Sequence, residues 1–242
     1  MMIKPIKILG VKVHPLTMNE TIADLELKLN KSQQSFVVTA NAEIIMMCQQ
    51  DEFYKNIIND DADIVLPDGA GAVWAGRYLG YQVPERVAGF DLYNHLLALS
   101  AQKGYKVYFF GGSPGIAEAA KVKAENLYPG VSIVGCHNGY FSDEEINNII
   151  EEINKSEAQI LFVALGAPKQ EKWLAKYRKQ LNPKIIMGIG GSFDVLAGKM
   201  QRAPKWMQNA SLEWAFRLYK QPSRCIRMLA LPKFVLKVIA SK

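Results

Sequence analysis

Three apolar segments, all beyond residue 105, each end in a turn of small residues. They cover residues 106–110, 160–165 and 184–189, and the turns after them begin Gly-Gly-Ser, Gly-Ala-Pro and Gly-Gly-Ser. Nearly continuous apolar strands that alternate with amphipathic helices are typical of a parallel sheet covered on both faces. The sequence therefore predicts an α/β fold with a Rossmann-like, largely parallel sheet and ligands bound beyond the carboxyl ends of its strands.

The rest of the α/β pattern shows the same alternation after a short amino-terminal strand pair. Buried strands are predicted over residues 36–39, 63–66 and 131–134. Helix starts are marked by two capping boxes, Thr17 with Glu20 and Ser142 with Glu145. The first box predicts a helix over residues 18–30, and the second a helix that ends near Asn154.

The composition favours a folded chain in a reducing compartment. Of 242 residues, 49% are apolar and 21% are charged, which excludes a disordered chain. Cys48, Cys136 and Cys225 lie far apart without a C-x-x-C pair, which argues against a disulfide framework and against a zinc or iron–sulfur site. The amino end lacks an apolar stretch of signal-peptide length, so a cytoplasmic location is expected.

Positive charge is concentrated at the carboxyl end. Residues 199–242 hold 10 of the 29 lysines and arginines but one of the 23 acidic residues, Glu213. Together with the strand pattern, this predicts an α/β domain over residues 1–195 and a basic helical appendage over residues 196–242. Such an appendage is expected to bind phosphate, whether on nucleic acid, on lipid headgroups or on a substrate diphosphate.

The appendage is also amphipathic. Pro222 and Pro232 divide it into short helices, and no apolar stretch approaches the roughly 20 residues that span a bilayer. We expect it to attach peripherally to the inner face of the plasma membrane. The alternative is that its apolar face packs on the α/β domain. Arg224 and Arg227 lie three residues apart and are expected to point together at a diphosphate.

The turn after the first of the three apolar segments is a candidate anion site. Ser113 is expected to cap a helix that Pro114 begins, which leaves backbone N–H groups of Gly111 and Gly112 facing outward. The alternative is a glycine-lined turn without a ligand. NAD and ATP are disfavoured, because the glycine spacing at Gly69 breaks the dinucleotide fingerprint and no P-loop lysine follows.

Polar side chains converge at the predicted strand ends. Asp68 follows one strand, and Thr39 and Asn41 end another. Arg86 and Gln170 can join them. Each residue alone suits a turn, a cap or a solvated surface equally well, but together they indicate a polar ligand site at this edge.

Six sequence blocks together resemble the WecG/TagA/CpsF glycosyltransferases, family 26. They are VTANAE at 38–43, DIVLPDGAG at 63–71, ERVAGFDL at 85–92, FFGGSPG at 109–115, LGAPKQEKW at 165–173 and GGSFDVLAGKMQRAP at 190–204. The likeness is greatest to TagA-type members. It implies inverting transfer of N-acetylmannosamine from UDP-ManNAc to the 4-hydroxyl of GlcNAc on undecaprenyl diphosphate, an early step of wall teichoic acid linkage-unit synthesis.

The resemblance also implies roles for particular residues. The family's pocket and appendage arginines fall on Thr39, Asn41, Asp68, Arg86, Gln170, Arg217, Arg224 and Arg227. Within such an enzyme Asp68 is the candidate catalytic base, and its rival role is a hydrogen bond that positions the donor sugar. Gln170 and Asp194 are candidate nucleotide contacts, although Asp194 equally suits a helix cap.

No cofactor and no metal are expected, because no D-x-D sequence of the metal-holding kind is expected, the three histidines are scattered, and arginines with backbone amides can stabilise a departing UDP. Another UDP-sugar, such as UDP-ManNAcA or UDP-glucose, is an alternative donor.

Nucleic-acid binding by the tail is disfavoured because the tail has no helix-turn-helix pattern. A nicotinamide or flavin oxidoreductase is disfavoured by the glycine spacing. The apolar tail predicts self-association away from a membrane.

Overall fold

A six-stranded parallel sheet and a separate strand hairpin organise the computed structural model, which describes residues 4–210, 212–220 and 229–242. The strands are β1 Ile6–Ile8, β2 Val11–Val13, β3 Ser35–Ala40, β4 Ile64–Pro67, β5 Lys106–Gly111, β6 Ser132–His137, β7 Ile160–Ala164 and β8 Ile185–Gly188. β1 and β2 form the antiparallel hairpin, and the sheet has the order β4-β3-β8-β7-β5-β6. This arrangement confirms the predicted α/β fold and the amino-terminal strand pair.

Helices cover both faces of the sheet. They are α1 Met18–Asn30, α2 Ala42–Cys48, α3 Glu52–Asn56, α4 Ala70–Tyr78, α5 Gly89–Lys103, α6 Ile116–Leu127, α7 Ile146–Lys155, α8 Lys169–Tyr177, α9 Ser192–Leu196, α10 Lys205–Asn209, α11 Glu213–Lys220 and α12 Ala230–Ala240. A π-helical turn, Ile57–Asp61, extends α3, and a 3-10 turn, Asp143–Glu145, precedes α7. Both predicted capping boxes are present.

Strand side chains alternate between two buried layers. In β5, for example, Tyr108 and Phe110 pack in the layer formed with α2, α4, α7 and α8, whereas Val107 and Phe109 pack in the layer with α1, α5 and α6. Because both faces are covered, nearly every strand position is apolar. This explains why the strands appear in the sequence as continuous apolar runs.

The connections leave the middle of the sheet in opposite directions. The chain after β3 and after β7 turns to one face, where α2 and α8 pack, whereas the chain after β8 turns to the other face, where α9 packs. Neighbouring strands whose connections diverge leave a crevice at their carboxyl ends. The fold therefore places a crevice above β3, β8 and β7.

The last helix packs on the α/β domain. On α12, Phe234 is 1% exposed and Val238 is fully buried, in the layer that contains α2 and α4. The opposite side of this helix exposes Leu236 and Ile239. The face of α12 that carries Phe234 and Val238 thus packs on the α/β domain, which was the alternative to membrane contact. Within the described part of the chain, no helix is long and apolar enough to cross a membrane.

Candidate active site

A cleft of about 180 Å³ opens at the carboxyl edge of the sheet, in the crevice that the fold predicts. Its lining includes Thr39, Asn41, Glu43, Asp68, Gly166, Gln170, Gly188, Gly190, Arg202 and Glu213. An adjoining cavity of about 220 Å³ is lined by Asn41, Glu43, Asp68, Gly69, Gly71, Arg86, Glu213, Trp214 and Leu231, among others. The structure thus brings four of the predicted residues into one cleft and places the fifth, Arg86, in the cavity beside it.

Asp68 lies in the wall that the two cavities share. Its backbone N–H donates to the Ala40 carbonyl, 3.0 Å away, and its Oδ2 accepts from the Gly89 N–H at 3.2 Å. These contacts anchor the carboxylate to the end of β3 and to the first residue of α5. The half-buried side chain is therefore held at a defined position between two spaces that can each contain a ligand.

Two further strand-end residues have structural partners that limit what they offer a ligand. The Asn41 Oδ1 accepts from the Ile44 N–H at 3.0 Å and caps α2, so Nδ2 is the Asn41 atom that can donate into the cleft. Thr39 packs against Gly89, where an added Cβ would lie 2.7 Å from the Thr39 Oγ1. Glycine is required there because α5 begins close against β3.

Gln170 connects two loops of the cleft. Its Oε1 accepts from the N–H groups of Gly166, at 3.2 Å, and Gly190, at 3.0 Å, which follow β7 and β8. Its side chain lies over Gly188, where an added Cβ would come within 2.6 Å of Nε2. Gln170 is 5% exposed and is more enclosed than its position past a strand end indicated.

Arg202 is a cleft residue that sequence reasoning did not single out, although it lies in the last of the six blocks. Its Nη1 and Nη2 donate to the two oxygens of Asp91, at 2.5 and 2.9 Å, and its guanidinium lies 4.9 Å from the centre of the Phe90 ring. Burial by itself would lower the pKa of Arg202, but the hydrogen bonds and charge of Asp91, with the charges of Glu213 and Asp68, raise it. A permanent positive charge therefore lies close to Asp68.

Asp91 does not use every donor of Arg202. Its Nε is buried without a hydrogen-bond partner among the described residues, and the Glu213 Oε1 lies 3.8 Å away. A buried donor without a partner is costly, so this atom marks a position that an acceptor oxygen can fill.

Glu213, the one acidic residue of the basic tail, contacts the candidate arginine of the second cavity. Its Oε2 lies 3.4 Å from the Arg86 Nη1. The next residue, Trp214, lines the same cavity and is 45% exposed. Helix α11 thus reaches the site through these two side chains.

The glycine turn after β5 differs from its prediction. The helix begins at Ile116 and follows Gly115, so the expectation that Ser113 caps it and Pro114 begins it is wrong. The Gly112 N–H is not free, because it donates to the Ala164 carbonyl at 2.9 Å. Neither Gly111 nor Gly112 lines the two cavities.

The remaining predicted residues lie apart from the two cavities or outside the description. Asp194 is half-buried in the first turn of α9 and lines neither cavity. Arg217 belongs to α11, and its side chain is not among those described. Arg224 and Arg227 lie outside the described residues.

Contrary to that expectation the chain does contain a D-x-D sequence, Asp61-Ala62-Asp63, but it lies at the amino end of β4, on the opposite edge of the sheet from the cleft. The Asp63 Oδ2 accepts from the Arg178 Nη2 at 2.9 Å and from the Phe36 N–H at 2.7 Å, which is a structural role. Among the described side chains, no group of three or more His, Cys, Asp and Glu residues is placed to hold a metal ion.

Comparison with known proteins gives one consistent result. The sequence model described as the glycosyl transferase WecG/TagA/CpsF family matches residues 6–242. Similar proteins include the N-acetylglucosaminyldiphosphoundecaprenol N-acetyl-beta-D-mannosaminyltransferases of Bacillus spizizenii, 36% identical over 87% of this chain and 81% of that protein, and of Staphylococcus aureus MRSA252, 31% identical over 98% and 93%. The match covers the whole α/β sheet, the cleft residues and the carboxyl-terminal helices.

Proposed function

This chain belongs to the WecG/TagA/CpsF glycosyltransferase family, and we propose that it transfers N-acetylmannosamine from UDP-ManNAc to the 4-hydroxyl of GlcNAc on undecaprenyl diphosphate. The product is a lipid-linked disaccharide with a β-1,4 linkage. The names of the relatives, which specify this sugar and this lipid-linked acceptor, support the proposal.

Within the structure, the observation that best supports the proposal is the position of Asp68 between the two cavities. The cleft, with its glycine loops and Arg202, suits a nucleotide sugar. The adjoining cavity combines Arg86 with Trp214 and Leu231, and so suits a diphosphate joined to an apolar chain. A carboxylate in the shared wall can meet the acceptor hydroxyl on one side and the sugar on the other.

In the proposed reaction, the Asp68 carboxylate accepts the proton of the GlcNAc 4-hydroxyl while that oxygen attacks the anomeric carbon of the donor sugar. The bond from that carbon to the diphosphate oxygen breaks, UDP leaves with the electron pair, and the configuration inverts. General base catalysis of this kind contributes roughly 10²- to 10⁴-fold in rate.

Arginines supply the charge that the departing diphosphate requires. Arg202, whose Nε has no hydrogen-bond partner among the described residues, contributes a positive charge close to Asp68, and a charge-assisted hydrogen bond contributes about 1.5–3 kcal/mol. Arg86 is proposed to exchange its contact with Glu213 for the acceptor diphosphate. The arginines of the tail, Arg217, Arg224 and Arg227, are proposed to close over the same charge.

The decisive experiment measures UDP release from UDP-ManNAc, UDP-ManNAcA, UDP-GlcNAc and UDP-glucose with a soluble GlcNAc diphosphate lipid analogue. We expect UDP-ManNAc to be the preferred donor. The Asp68→Asn variant should fold and bind UDP but lose about 10²- to 10⁴-fold in turnover. Asp60→Asn, at an exposed position on the opposite edge, is the matched control and should retain turnover. Normal turnover by Asp68→Asn would remove Asp68 from the catalytic role.

We also propose that the tail binds an anionic membrane surface. Helix α12 buries Phe234 and Val238 against the α/β domain but also exposes Leu236 and Ile239, and large apolar side chains exposed beside lysines suit the surface of a membrane. Its lysines can contact anionic headgroups at about 1 kcal/mol each.

Vesicle sedimentation tests this attachment. The double variant Leu236→Gln/Ile239→Gln should lose binding to phosphatidylglycerol vesicles, while Val122→Gln/Leu127→Gln, which changes two exposed apolar residues on α6, should keep it. Point variants are preferable to deleting residues 199–242, because the deletion would also remove Phe234 and Val238 from the core. Equal binding by the two double variants would contradict the proposal.

A further inference from the structure

Glu171 is a buried carboxyl group that the proposed reaction does not use. It is 1% exposed and, among the described residues, is the only acidic or basic side chain in the buried class. It follows Gln170 on α8. The surrounding helix sequence, KQEKWLAKY, is strongly polar, so the sequence gives no sign that this glutamate points inward.

The Glu171 carboxyl group has two donors, one on each oxygen. The Gln170 Nε2 donates to Oε1 at 2.7 Å, and the Tyr54 hydroxyl donates to Oε2 at 3.1 Å. Burial raises the pKa of the Glu171 carboxyl, and the hydrogen bonds from Gln170 and Tyr54 oppose that shift. Burial also raises the pKa of the Tyr54 hydroxyl, which keeps it a donor.

These contacts determine which way the Gln170 amide faces. Two backbone donors, the N–H groups of Gly166 and Gly190, approach the amide from one side, and the acceptor Glu171 lies on the other. A reversed amide would direct its NH₂ group at the two glycine donors and its oxygen at the carboxyl group. The observed orientation satisfies all three partners and leaves one N–H of Nε2 for another acceptor.

We propose that Glu171 is a positioning residue, which orients the Gln170 amide so that it joins the loops after β7 and β8 and presents its remaining N–H to the nucleotide-sugar donor. Glu171 itself touches no substrate. The inference rests on the proposed function for the identity of the donor. It adds a buried pair, Glu171 and Tyr54, on which the shape of the donor side of the cleft depends.

Steady-state kinetics with both substrates varied tests the proposal. Glu171→Leu should raise the KM for UDP-ManNAc about tenfold and leave the KM for the lipid acceptor within about twofold, because Gln170 lines the cleft and not the adjoining cavity. A variant that only loses folded protein would lower kcat and change neither KM. Glu171→Gln should restore the donor KM to within about threefold, since its amide oxygen can accept from Gln170 and its NH₂ can donate to Tyr54.

Two controls make the result specific. In a Gln170→Ala background, Glu171→Leu should add almost nothing to the donor KM if it acts through Gln170. Tyr54→Phe should raise the donor KM about threefold, whereas Tyr93→Phe, which removes a buried hydroxyl without a hydrogen-bond partner among the described residues, should not. Glu171→Leu leaves the Tyr54 hydroxyl without its acceptor. If that variant does not fold, the Tyr54→Phe/Glu171→Leu double variant, which also removes this hydroxyl, is measured in its place.

Calorimetry with UDP separates this inference from the proposed function. If the wild-type protein binds UDP but does not use UDP-ManNAc, the proposed function fails, and a tenfold weaker UDP dissociation constant in Glu171→Leu still supports positioning by Glu171. If the wild-type protein is active and Glu171→Leu changes neither the donor KM nor UDP binding, the inference is overturned.

Discussion

Two glycine-rich segments lie at the carboxyl ends of β5 and β8, which are separated by β7, and they differ in what their glycines do. In the turn after β5, an added Cβ at Gly111 would lie 2.5 Å from the Ala164 carbonyl oxygen. These glycines allow close contact between backbone segments. In the region of β8, Gly188 accommodates the Gln170 side chain and the Gly190 N–H donates to it. These glycines shape the cleft.

The difference follows from the direction of the chain after each strand. The chain after β5 contacts the ends of neighbouring segments, since the Gly112 carbonyl accepts from the Gly139 N–H at 2.8 Å and its N–H donates to Ala164. The chain after β8 leaves on the opposite face from that after β3 and β7, and this divergence opens the crevice. A glycine-rich turn therefore identifies the carboxyl edge of the sheet, and the strand order decides which turn borders the cleft.

Among the tests of this comparison, the largest loss of activity is expected for Arg202→Gln, which changes a residue of the cleft. Loss of the guanidinium removes charge-assisted hydrogen bonds of about 1.5–3 kcal/mol each, so kcat/KM for the donor should fall about 100-fold. Arg178→Gln is the matched control, because Arg178 pairs with Asp63 on the opposite edge. If folded Arg202→Gln loses less than threefold in kcat/KM for the donor, Arg202 has no important role in the reaction.

A smaller effect is expected for Gly188→Ala. The new methyl group would displace the end of a flexible side chain, Gln170, and no backbone atom lies among its closest contacts, so the fold should persist. We expect the KM for the donor to rise about tenfold, which corresponds to roughly one orienting hydrogen bond. Circular dichroism tests whether the fold persists, and kinetics with both substrates varied measure the KM for the donor. An unchanged donor KM would contradict the assignment of the β8 region to the donor.

Gly112→Ala tests the other turn. Gly112 has φ +75°, so alanine should destabilise the protein by about 1–2 kcal/mol and lower Tm by roughly 2–8 °C. The donor KM of the folded variant should stay within about twofold. A tenfold rise in that KM would show that the turn after β5 contacts the donor phosphates, as the sequence pattern indicated.

No change is expected on treatment with EDTA. The D-x-D aspartates lie on the edge of the sheet opposite the cleft, and Asp63 is paired with Arg178. UDP release should therefore proceed at the same rate in excess EDTA as in buffers with added magnesium or manganese. Abolition by EDTA and recovery with either ion would show that a metal takes part.

The bounds of several regular elements, though not the start of α6, could be predicted because their signals are local. Helix α1 covers the predicted residues 18–30, and its capping box involves residues only three apart. The convergence of Thr39, Asn41, Asp68 and Gln170 also followed from the sequence, since parallel strands end at one edge. Glu171 and Arg202 could not be identified in this way, because their roles depend on Tyr54 and Asp91, far away in the chain.

The sequence by itself determined the α/β class, the parallel strands, the edge of the sheet at which the cleft opens and the family, because apolar periodicity, caps and sequence blocks are properties of short segments. The tertiary structure alone decided which glycine turn opens into the cleft, which charged side chains are buried and how the last helix packs. Those properties depend on strand order and on contacts between distant segments, which no short stretch of sequence specifies.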